Sequence, residues 1–469
     1  MIRRAALPVA VLCLSPSSGA AHAFGARYDL PLPLAYYLGA AALAVAVSFL
    51  AAWAFLGKGS AKAFEVRIDV HISVARFVRL CGRAIGLLTL FLLIAASFVG
   101  PLEVTRNLAT VFVWVIWWVG FLLIAVLIVA IWPALDPFRA MGSAACRVFH
   151  RADFAALHRF AGYLAPFGIL FVVWIELVSD WSEDPRALGI LIVTYAAGAI
   201  LGSLVFGPAW FERADPMARL FELLGRMAIV RAQPNGITIG PPGEGLLHRR
   251  PAKTGESALV CVLLGAVLFD GLSEVPAWAA VLDFISGSQT LRSPLLYLRG
   301  HGVDLLKLIQ TLGLLSTILA TGIVYLGLSW AISLAAGRTQ STASIAAAFA
   351  QTLLPIAAAY HLSHYLSYLL IAGQLALPAA SDPLGLGWDL FGWSGWALDI
   401  TIIGTRQIWW IAFGSLVAGH ALAVLAAHRQ ALIVFGDPGI ASRSQIPMTI
   451  AMIGLTTLSL WILSQPITE

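Results

Sequence analysis

The segment that decides the fold is residues 111–132, which read VFVWVIWWVGFLLIAVLIVAIW without one charged side chain. An α-helix rises about 1.5 Å per residue, so this segment is long enough to cross the hydrocarbon core of a bilayer, which is about 30 Å thick. The segment therefore predicts a membrane-spanning helix, and similar segments elsewhere decide how often the chain crosses.

Comparable apolar segments recur along the whole chain and predict an all-α fold, a polytopic transmembrane helix bundle of about ten helices. The ten predicted spans lie near residues 33–56, 80–99, 111–132, 161–179, 188–208, 257–273, 308–331, 346–377, 406–427 and 447–464.

The composition agrees with a membrane protein. Of 469 residues, 60% are hydrophobic and 11% are charged, whereas about a quarter of the residues of a soluble domain are charged. A sequence pI of about 9.1 would suggest nucleic-acid binding in a soluble protein. Here the basic residues lie in the loops between spans, so they report topology and no nucleic-acid partner is expected.

The first residues predict a signal peptide. Arg3 and Arg4 precede an apolar run at 5–14, and small residues end in Ala-His-Ala at 21–23. This order is typical of a secretory signal, here residues 1–23, cleaved after Ala23. We therefore expect residues 24–469 to form a single transmembrane helical domain in a bacterial-type inner membrane, with the mature N-terminus outside.

The Lys and Arg residues test this topology, because they concentrate in cytoplasmic loops. With the mature N-terminus outside, 20 of them fall in inner loops and seven in outer loops. The predicted topology is multi-pass with both termini periplasmic or extracellular. It makes loop 209–256 cytoplasmic and loops 274–307 and 378–405 outer, and loop 209–256 is too short to be an enzyme by itself.

Chemistry is therefore expected from ionisable residues at membrane depth, each of which costs roughly 2.5–3.5 kcal/mol at a helix centre. Counted from the cytoplasmic end of each helix, five of them share a layer about 20–27 Å deep, while a further one lies about 10 Å deep. The five are Glu176, Asp270, Glu274, His361 and His364, and the sixth is His420.

These residue types suggest a divalent metal site, because imidazole and carboxylate ligands from separate helices can enclose an ion in a bundle core. Its ligands would be His364, His361, Asp270 and Glu274. Under a plainer interpretation, the histidines hydrogen-bond to neighbouring groups and the acids merely end a helix at the surface. A further alternative is haem, with His361 and His420 as axial ligands.

The outer loop after the eighth span is rich in Gly, Pro and aromatic residues. It follows Gln374 and reads ASDPLGLGWDLFG at 380–392, a composition typical of tight turns. Trp388 and Phe391 are placed to dip into the membrane surface while Asp389 faces a site. A surface hairpin without a site is the alternative.

At these residues the chain resembles a family of integral membrane proteins known as fenitrothion hydrolases. The matching segments run through nearly the whole chain in order: RYDLPLP at 27–33, FDGLSE at 269–274, His364-Tyr365 with Gln374, SDPLG at 381–385, GWDLFG at 387–392, and Gly419-His420 with His428. The family pattern implies an apolar residue where His361 stands.

The resemblance implies cleavage of the aryl ester of an organophosphorus triester by a membrane enzyme that contains a second protein subunit. The mechanism we expect is metal-assisted hydrolysis of a lipophilic small molecule that partitions into membrane lipid. The candidate catalytic carboxylates are Asp389 and Glu274. The candidate substrate contacts are Trp388, Gln374, Tyr365, Trp409 and Trp410.

Two other classes of function stay open from the sequence. One is a non-enzymatic subunit that binds a cofactor or a metal in an electron-transfer or assembly complex. The other is a transporter, for which matching inverted halves with helix breaks at the midplane are expected. Pro355 offers one such break, but the sequence shows no matching half.

Overall fold

The structure is a computed structural model that describes residues 32–56, 65–149, 160–233, 236–247, 253 and 255–465. The predicted signal peptide at 1–23 and most of the motif at 27–33 lie outside the described residues. Helices make up most of the described chain, which confirms the predicted all-α, polytopic class.

Nine helical segments in the described part of the chain are long and apolar enough to span a membrane. They are Leu34–Phe55, Ile72–Val99, Leu108–Leu127, Pro185–Phe206, Glu256–Ser273, Leu305–Ala335, Thr342–Ser381, Thr405–Phe435 and Pro438–Leu463. The remaining predicted span, 161–179, corresponds to the shorter apolar helix Ala161–Leu177. At about 1.5 Å per residue, that helix is close to the thickness of the hydrocarbon core. The chain is a multi-pass membrane protein.

The helices are numbered in chain order. They are α1 (Leu34–Phe55), α2 (Ile72–Val99), α3 (Leu108–Val111), α4 (Leu122–Leu127), α5 (Trp132–Leu135), α6 (Pro137–Val148), α7 (Ala161–Leu177), α8 (Pro185–Phe206), α9 (Ala209–Arg213), α10 (Pro216–Gly225), α11 (Glu256–Ser273), α12 (Pro276–Gly287), α13 (Gln289–Gly300), α14 (Leu305–Ala335), α15 (Thr342–Phe349), α16 (Leu354–Ala372), α17 (Ala376–Ser381), α18 (Thr405–Phe435) and α19 (Pro438–Leu463). A π-helix, Phe112–Phe121, joins α3 to α4, and short 3₁₀ turns lie at Asp180–Ser182, Glu244–Leu246, Ala350–Leu353 and Gly373–Leu375.

A small sheet accompanies the predicted inner loop 209–256. Its strands are β1 (Val66–Asp69), β2 (Val129–Ala130), β3 (Val230–Gln233) and β4 (Gly236–Ile239), in the order β1-β4-β3-β2. β4 pairs antiparallel with β1 and β3, and β2 pairs parallel with β3. Below this sheet, α10 packs into the bundle, and its Phe221 stacks on Trp132 with ring centroids 4.7 Å apart. The described part of the inner loop therefore packs against the bundle.

Contacts between helix ends show the directions of the spans. Gln351 bonds to Glu256 at the start of α11, and Tyr365 bonds to Asp270 near its end, so α11 and α16 run in the same direction. Lys307 at the start of α14 pairs with Asp180 just after α7, so these two ends share a face. Both observations agree with the predicted alternation of spans. We call the end of the bundle at Glu256 the basic face and the other end the opposite face.

Candidate metal centre

The last turn of α11 and the middle of α16 bring three predicted ligands together. Asp270 lies in the final turn of α11, and Glu274 follows the last helical residue, Ser273. Residues four apart lie on the same side of a helix, so both acids face α16. His364 meets them there, and the structure confirms that the three side chains converge.

The geometry of the three side chains suits a metal ion. His364 Nε2 lies 3.2 Å from Asp270 Oδ2 and 4.0 Å from Glu274 Oε2. One ligand atom from each residue lies within 4.8 Å of the other two. Ligands bound about 2.1 Å from one zinc ion at the tetrahedral angle are themselves about 3.4 Å apart. The three residues form a possible metal-binding group. Small side-chain rotations would bring their ligand atoms to the distances that an ion requires.

The three ligands differ in exposure. The side chain of Asp270 is 4% exposed and that of His364 is 10% exposed, whereas that of Glu274 is 17% exposed. Asp270 and His364 therefore form the enclosed side of the group, and Glu274 forms its more exposed side. Val275, directly after Glu274, is buried and anchors the end of this segment.

Tyr365 links the group to a third carboxyl. Its hydroxyl lies 2.8 Å from Asp270 Oδ2 and 3.1 Å from Glu176 Oε1 on α7. The sequence predicted Tyr365 as a substrate contact and left Glu176 without a defined role. In the structure, Tyr365 bridges two acids and fixes the orientation of Asp270, the role that hydrogen-bond partners of metal ligands generally have.

An internal chamber of about 60 Å³ lies beside this group. Its polar wall is formed by Glu176, Asp270, His361 and Tyr365. The rest of the wall is apolar and consists of Trp118, Leu122, Val173, Leu177, Leu220, Leu224, Leu263, Ala266, Val267, Ala357 and Ala358. Trp118 belongs to the π-helix, an unusual conformation that often occurs near functional sites. Trp118 is not among the site residues predicted from the sequence.

His361 was predicted as a fourth metal ligand, but the structure places it on the chamber wall and the three-residue group does not include it. His361 and His364 are three residues apart on α16, so their side chains leave the helix in directions about 60° apart. His364 meets α11, whereas His361 stacks against Tyr365 with ring centroids 4.7 Å apart.

The candidates on α18 lie elsewhere in the bundle. His420 is buried, and its Nδ1 contacts the carbonyl oxygen of Leu416, 2.8 Å away in its own helix. It is not among the residues that line the chamber with His361. Trp409 is buried and Trp410 is about half exposed, and both rings pack edge-on against Tyr37 of α1. These two tryptophans thus join α18 to α1.

Two predicted site residues organise the outer loop after α17. Asp389 is exposed, and it accepts hydrogen bonds from the Ser381 hydroxyl at 2.6 Å and from the Ser394 amide at 3.0 Å. The hydrogen bond from Ser381 lowers the pKa of Asp389. The side chain of Gln374 pairs with both backbone groups of Asp399, at 2.8 and 3.0 Å. Trp388 is 43% exposed on the same loop.

Sequence reasoning missed a second buried polar group, at the basic face. Glu256 begins α11, and its carboxylate accepts from Arg219 at 2.7 Å, from Arg226 at 3.0 Å and from Gln351 at 2.7 Å. Glu222 also pairs with Arg219 and Arg226. The available signal is an acidic residue at the first position of an apolar span, although the prediction places Glu256 in the loop 209–256.

Comparisons of the chain with models of protein families, with curated proteins and with solved structures find no match. The resemblance to fenitrothion hydrolases therefore stays a prediction, and the geometry of Asp270, Glu274 and His364 is the main guide to function.

Proposed function

We propose that this chain is a membrane-embedded, metal-dependent hydrolase that cleaves an aryl phosphotriester or a similar lipophilic ester. The observation that carries the proposal is the convergence of Asp270, Glu274 and His364, whose ligand atoms lie within 4.8 Å of one another. Three protein ligands leave a coordination position for water or substrate, as in catalytic zinc sites. The reaction itself comes from the resemblance to fenitrothion hydrolases.

The proposal gives each residue a role. A bound divalent ion would polarise the phosphoryl oxygen and lower the pKa of water. His364 and Asp270 hold the enclosed side of the ion, and Tyr365 keeps Asp270 in place through its 2.8 Å hydrogen bond. Glu274 is the most exposed of the three ligands, so we expect one of its oxygens to hold the ion and the other to accept a proton from the attacking water. As the water oxygen bonds to phosphorus, the bond from phosphorus to the aryl oxygen breaks, and the departing aryloxide takes the proton from Glu274.

A lipophilic ester dissolves in the bilayer, which gives it a lateral route to a site inside the bundle. Trp388 is a large, exposed aromatic side chain on the loop after α17. We expect it to contact the aryl group, so that loss of its ring raises KM more than it lowers kcat. The proposal includes the second protein subunit that the resemblance to fenitrothion hydrolases implies.

The test measures metal content and triester hydrolysis on the same purified protein in lipid nanodiscs. His364→Ala is expected to lose bound metal and activity together, because it removes one of three ligands. His420→Ala removes a buried histidine outside the group and serves as the matched control. Full activity in His364→Ala, or turnover that persists after exhaustive chelation, would falsify the metal mechanism.

A second candidate function is cation transport. The chamber supports it, because two acids that could attract a cation, Asp270 and Glu176, line one part of the chamber. The lining extends from them to Leu220 and Leu224 of α10, the helix beside the basic face. Uptake of a divalent cation into proteoliposomes, without triester hydrolysis, would favour this candidate. An absorption spectrum of the same preparation distinguishes both candidates from a haem-bearing subunit, because haem has strong visible bands.

A further inference from the structure

The segment between the candidate metal centre and α14 is a pair of short helices. α12 and α13 each contain 12 residues, and neither has a buried residue. At about 1.5 Å per residue each helix is about 18 Å long, too short to cross a bilayer. The start of α12 is joined to α11 and the end of α13 is joined to α14. Both α11 and α14 are membrane spans, so the pair is held near the surface of the bilayer. From the sequence this region is predicted only as the outer loop 274–307.

α12 has two different faces. On one face Trp278 packs edge-on against Phe269 of α11, with ring centroids 5.4 Å apart, which fixes the helix against the bundle. The other face carries four exposed apolar side chains, which are Ala277, Ala280, Val281 and Phe284. The spacing i, i+3, i+4 and i+7 aligns these four residues in one stripe. We call them the α12 stripe.

α13 adds positive charge beside this apolar surface. Arg292 and Arg299 are both exposed, and residues seven apart lie on the same side of a helix. Leu296 and Tyr297 are also exposed, at 56% and 66%. An apolar stripe bordered by arginines is typical of helices that lie in the plane of a membrane interface. The guanidinium group can bind a phosphate oxygen pair with two parallel hydrogen bonds.

We propose that α12 and α13 form an interfacial hairpin that binds an anionic phospholipid leaflet. The α12 stripe lies in the boundary between headgroups and acyl chains, and Arg292 and Arg299 contact lipid phosphate. The lipid leaflet is the binding partner of this surface, because the hairpin is joined at both ends to membrane spans and cannot move away from the membrane. The hairpin begins two residues after Glu274, so it lies beside the candidate metal centre, but the proposal does not depend on hydrolysis.

Site-directed spin labelling in nanodiscs tests the position of the stripe. Labels at Ala280→Cys and Phe284→Cys, in a background without native cysteines, should collide with oxygen dissolved in lipid more than with a water-soluble nickel chelate. Asp283→Cys and Ser286→Cys, exposed on other sides of the same helix, are the matched controls and should show the reverse. Chelate access at all four positions overturns the proposal in favour of a solvent loop. Access to neither reagent at the stripe overturns it in favour of a protein partner.

A second measurement tests the lipid charge. A fluorophore at Ser293→Cys should be quenched more by brominated phosphatidylglycerol than by brominated phosphatidylcholine. The preference should fall about fivefold for each arginine that is replaced in Arg292→Gln and Arg299→Gln. Arg406→Gln, exposed at the start of α18, is the matched control and should keep the preference. Equal quenching by the two lipids in the unsubstituted hairpin overturns the anionic-lipid assignment.

Discussion

Two buried carboxylates on α11 have different partners. Glu256, at the first residue, accepts hydrogen bonds from the guanidinium groups of Arg219 and Arg226 at 2.7 and 3.0 Å. Asp270, near the last residue, meets the imidazole of His364 at 3.2 Å and the hydroxyl of Tyr365 at 2.8 Å. One apolar helix thus carries a buried acid at each end, in two chemical environments.

The difference separates a structural role from a binding role. A guanidinium group keeps its charge at every physiological pH, so the Glu256 group is a permanent ion network that fastens α10 to α11. An imidazole can be neutral, and its nitrogen is then a metal ligand. Asp270 and His364 can therefore exchange their mutual contact for a shared ion, which the partners of Glu256 cannot do.

The largest expected effect comes from Glu256→Ala. This substitution removes the buried carboxylate shared by Arg219 and Arg226 and leaves them with the partly exposed Glu222. Loss of one partner of a buried ion pair typically costs about 3–5 kcal/mol of folding free energy. We expect a strongly reduced yield of folded protein and a clearly lower Tm in detergent.

Glu222→Gln is the matched control for Glu256→Ala. It changes an acid in contact with the same arginines, but one whose side chain is 35% exposed. Partly exposed pairs contribute less than about 1 kcal/mol. If the two variants unfold at the same temperature, the buried ion network is not what fastens α10 to α11, and the contrast with Asp270 fails.

An intermediate effect is expected for Tyr365→Phe. The ring stays, but the hydroxyl that bridges Asp270 and Glu176 is lost. Hydrogen-bond partners of metal ligands typically contribute about 10–100-fold to metal affinity. Calorimetric titration with Zn²⁺ and Mn²⁺ should therefore show weaker binding by about that factor, with folding largely preserved.

Two controls sharpen the Tyr365 experiment. Tyr325→Phe removes another buried hydroxyl, which donates to the Ala346 carbonyl at 2.6 Å on a different helix, and should bind metal like the unsubstituted protein. Asp389→Asn tests the predicted catalytic acid of the outer loop and should also leave metal affinity unchanged. Metal binding by Tyr365→Phe that equals that of both controls would exclude Tyr365 from the centre.

The fold could be predicted from the sequence because span formation depends on local apolar length. Each predicted span overlaps a described helix. The convergence of Asp270, Glu274 and His364 followed from the energetic penalty of turning a charge toward lipid. That rule requires buried ionisable groups to face the bundle interior, and the shared depth of the three residues supplied the rest.

The details of the site could not be predicted, because neighbouring helices decide them. Tyr365 follows His364 directly, and only the position of α7 determines whether its hydroxyl meets Glu176 or a substrate. The role of Asp389 depends on the turn that brings Ser381 and Ser394 to it. The sequence predicts a loop where the hairpin at 276–300 lies, because each of its helices is too short to appear as a span.

The smallest expected effect is a pH dependence at the basic face, outside the membrane spans. Burial alone would raise the pKa of Glu222, but the charges of Arg219, Lys253 and Arg226 outweigh burial and lower its pKa from 4.5 to about 2. A carboxyl whose folded pKa is lowered stabilises the fold above its unfolded pKa and loses that contribution as pH falls toward the folded value. The contribution of Glu222 should therefore be complete above about pH 5 and should decline below it.

The measurement is the difference in Tm between the unsubstituted protein and Glu222→Gln as a function of pH in a non-ionic detergent. Other acids titrate in the same range, but they affect both proteins, so the difference isolates Glu222. We expect a small positive difference that is constant above about pH 5 and shrinks toward zero as the pH falls. A difference that stays constant down to about pH 3 would mean that Glu222 is not held ionised by its arginines. The arginines of the basic face would then not determine the charge of a neighbouring acid. In that respect the basic face would be closer to the Asp270 group than the contacts of Glu256 indicate.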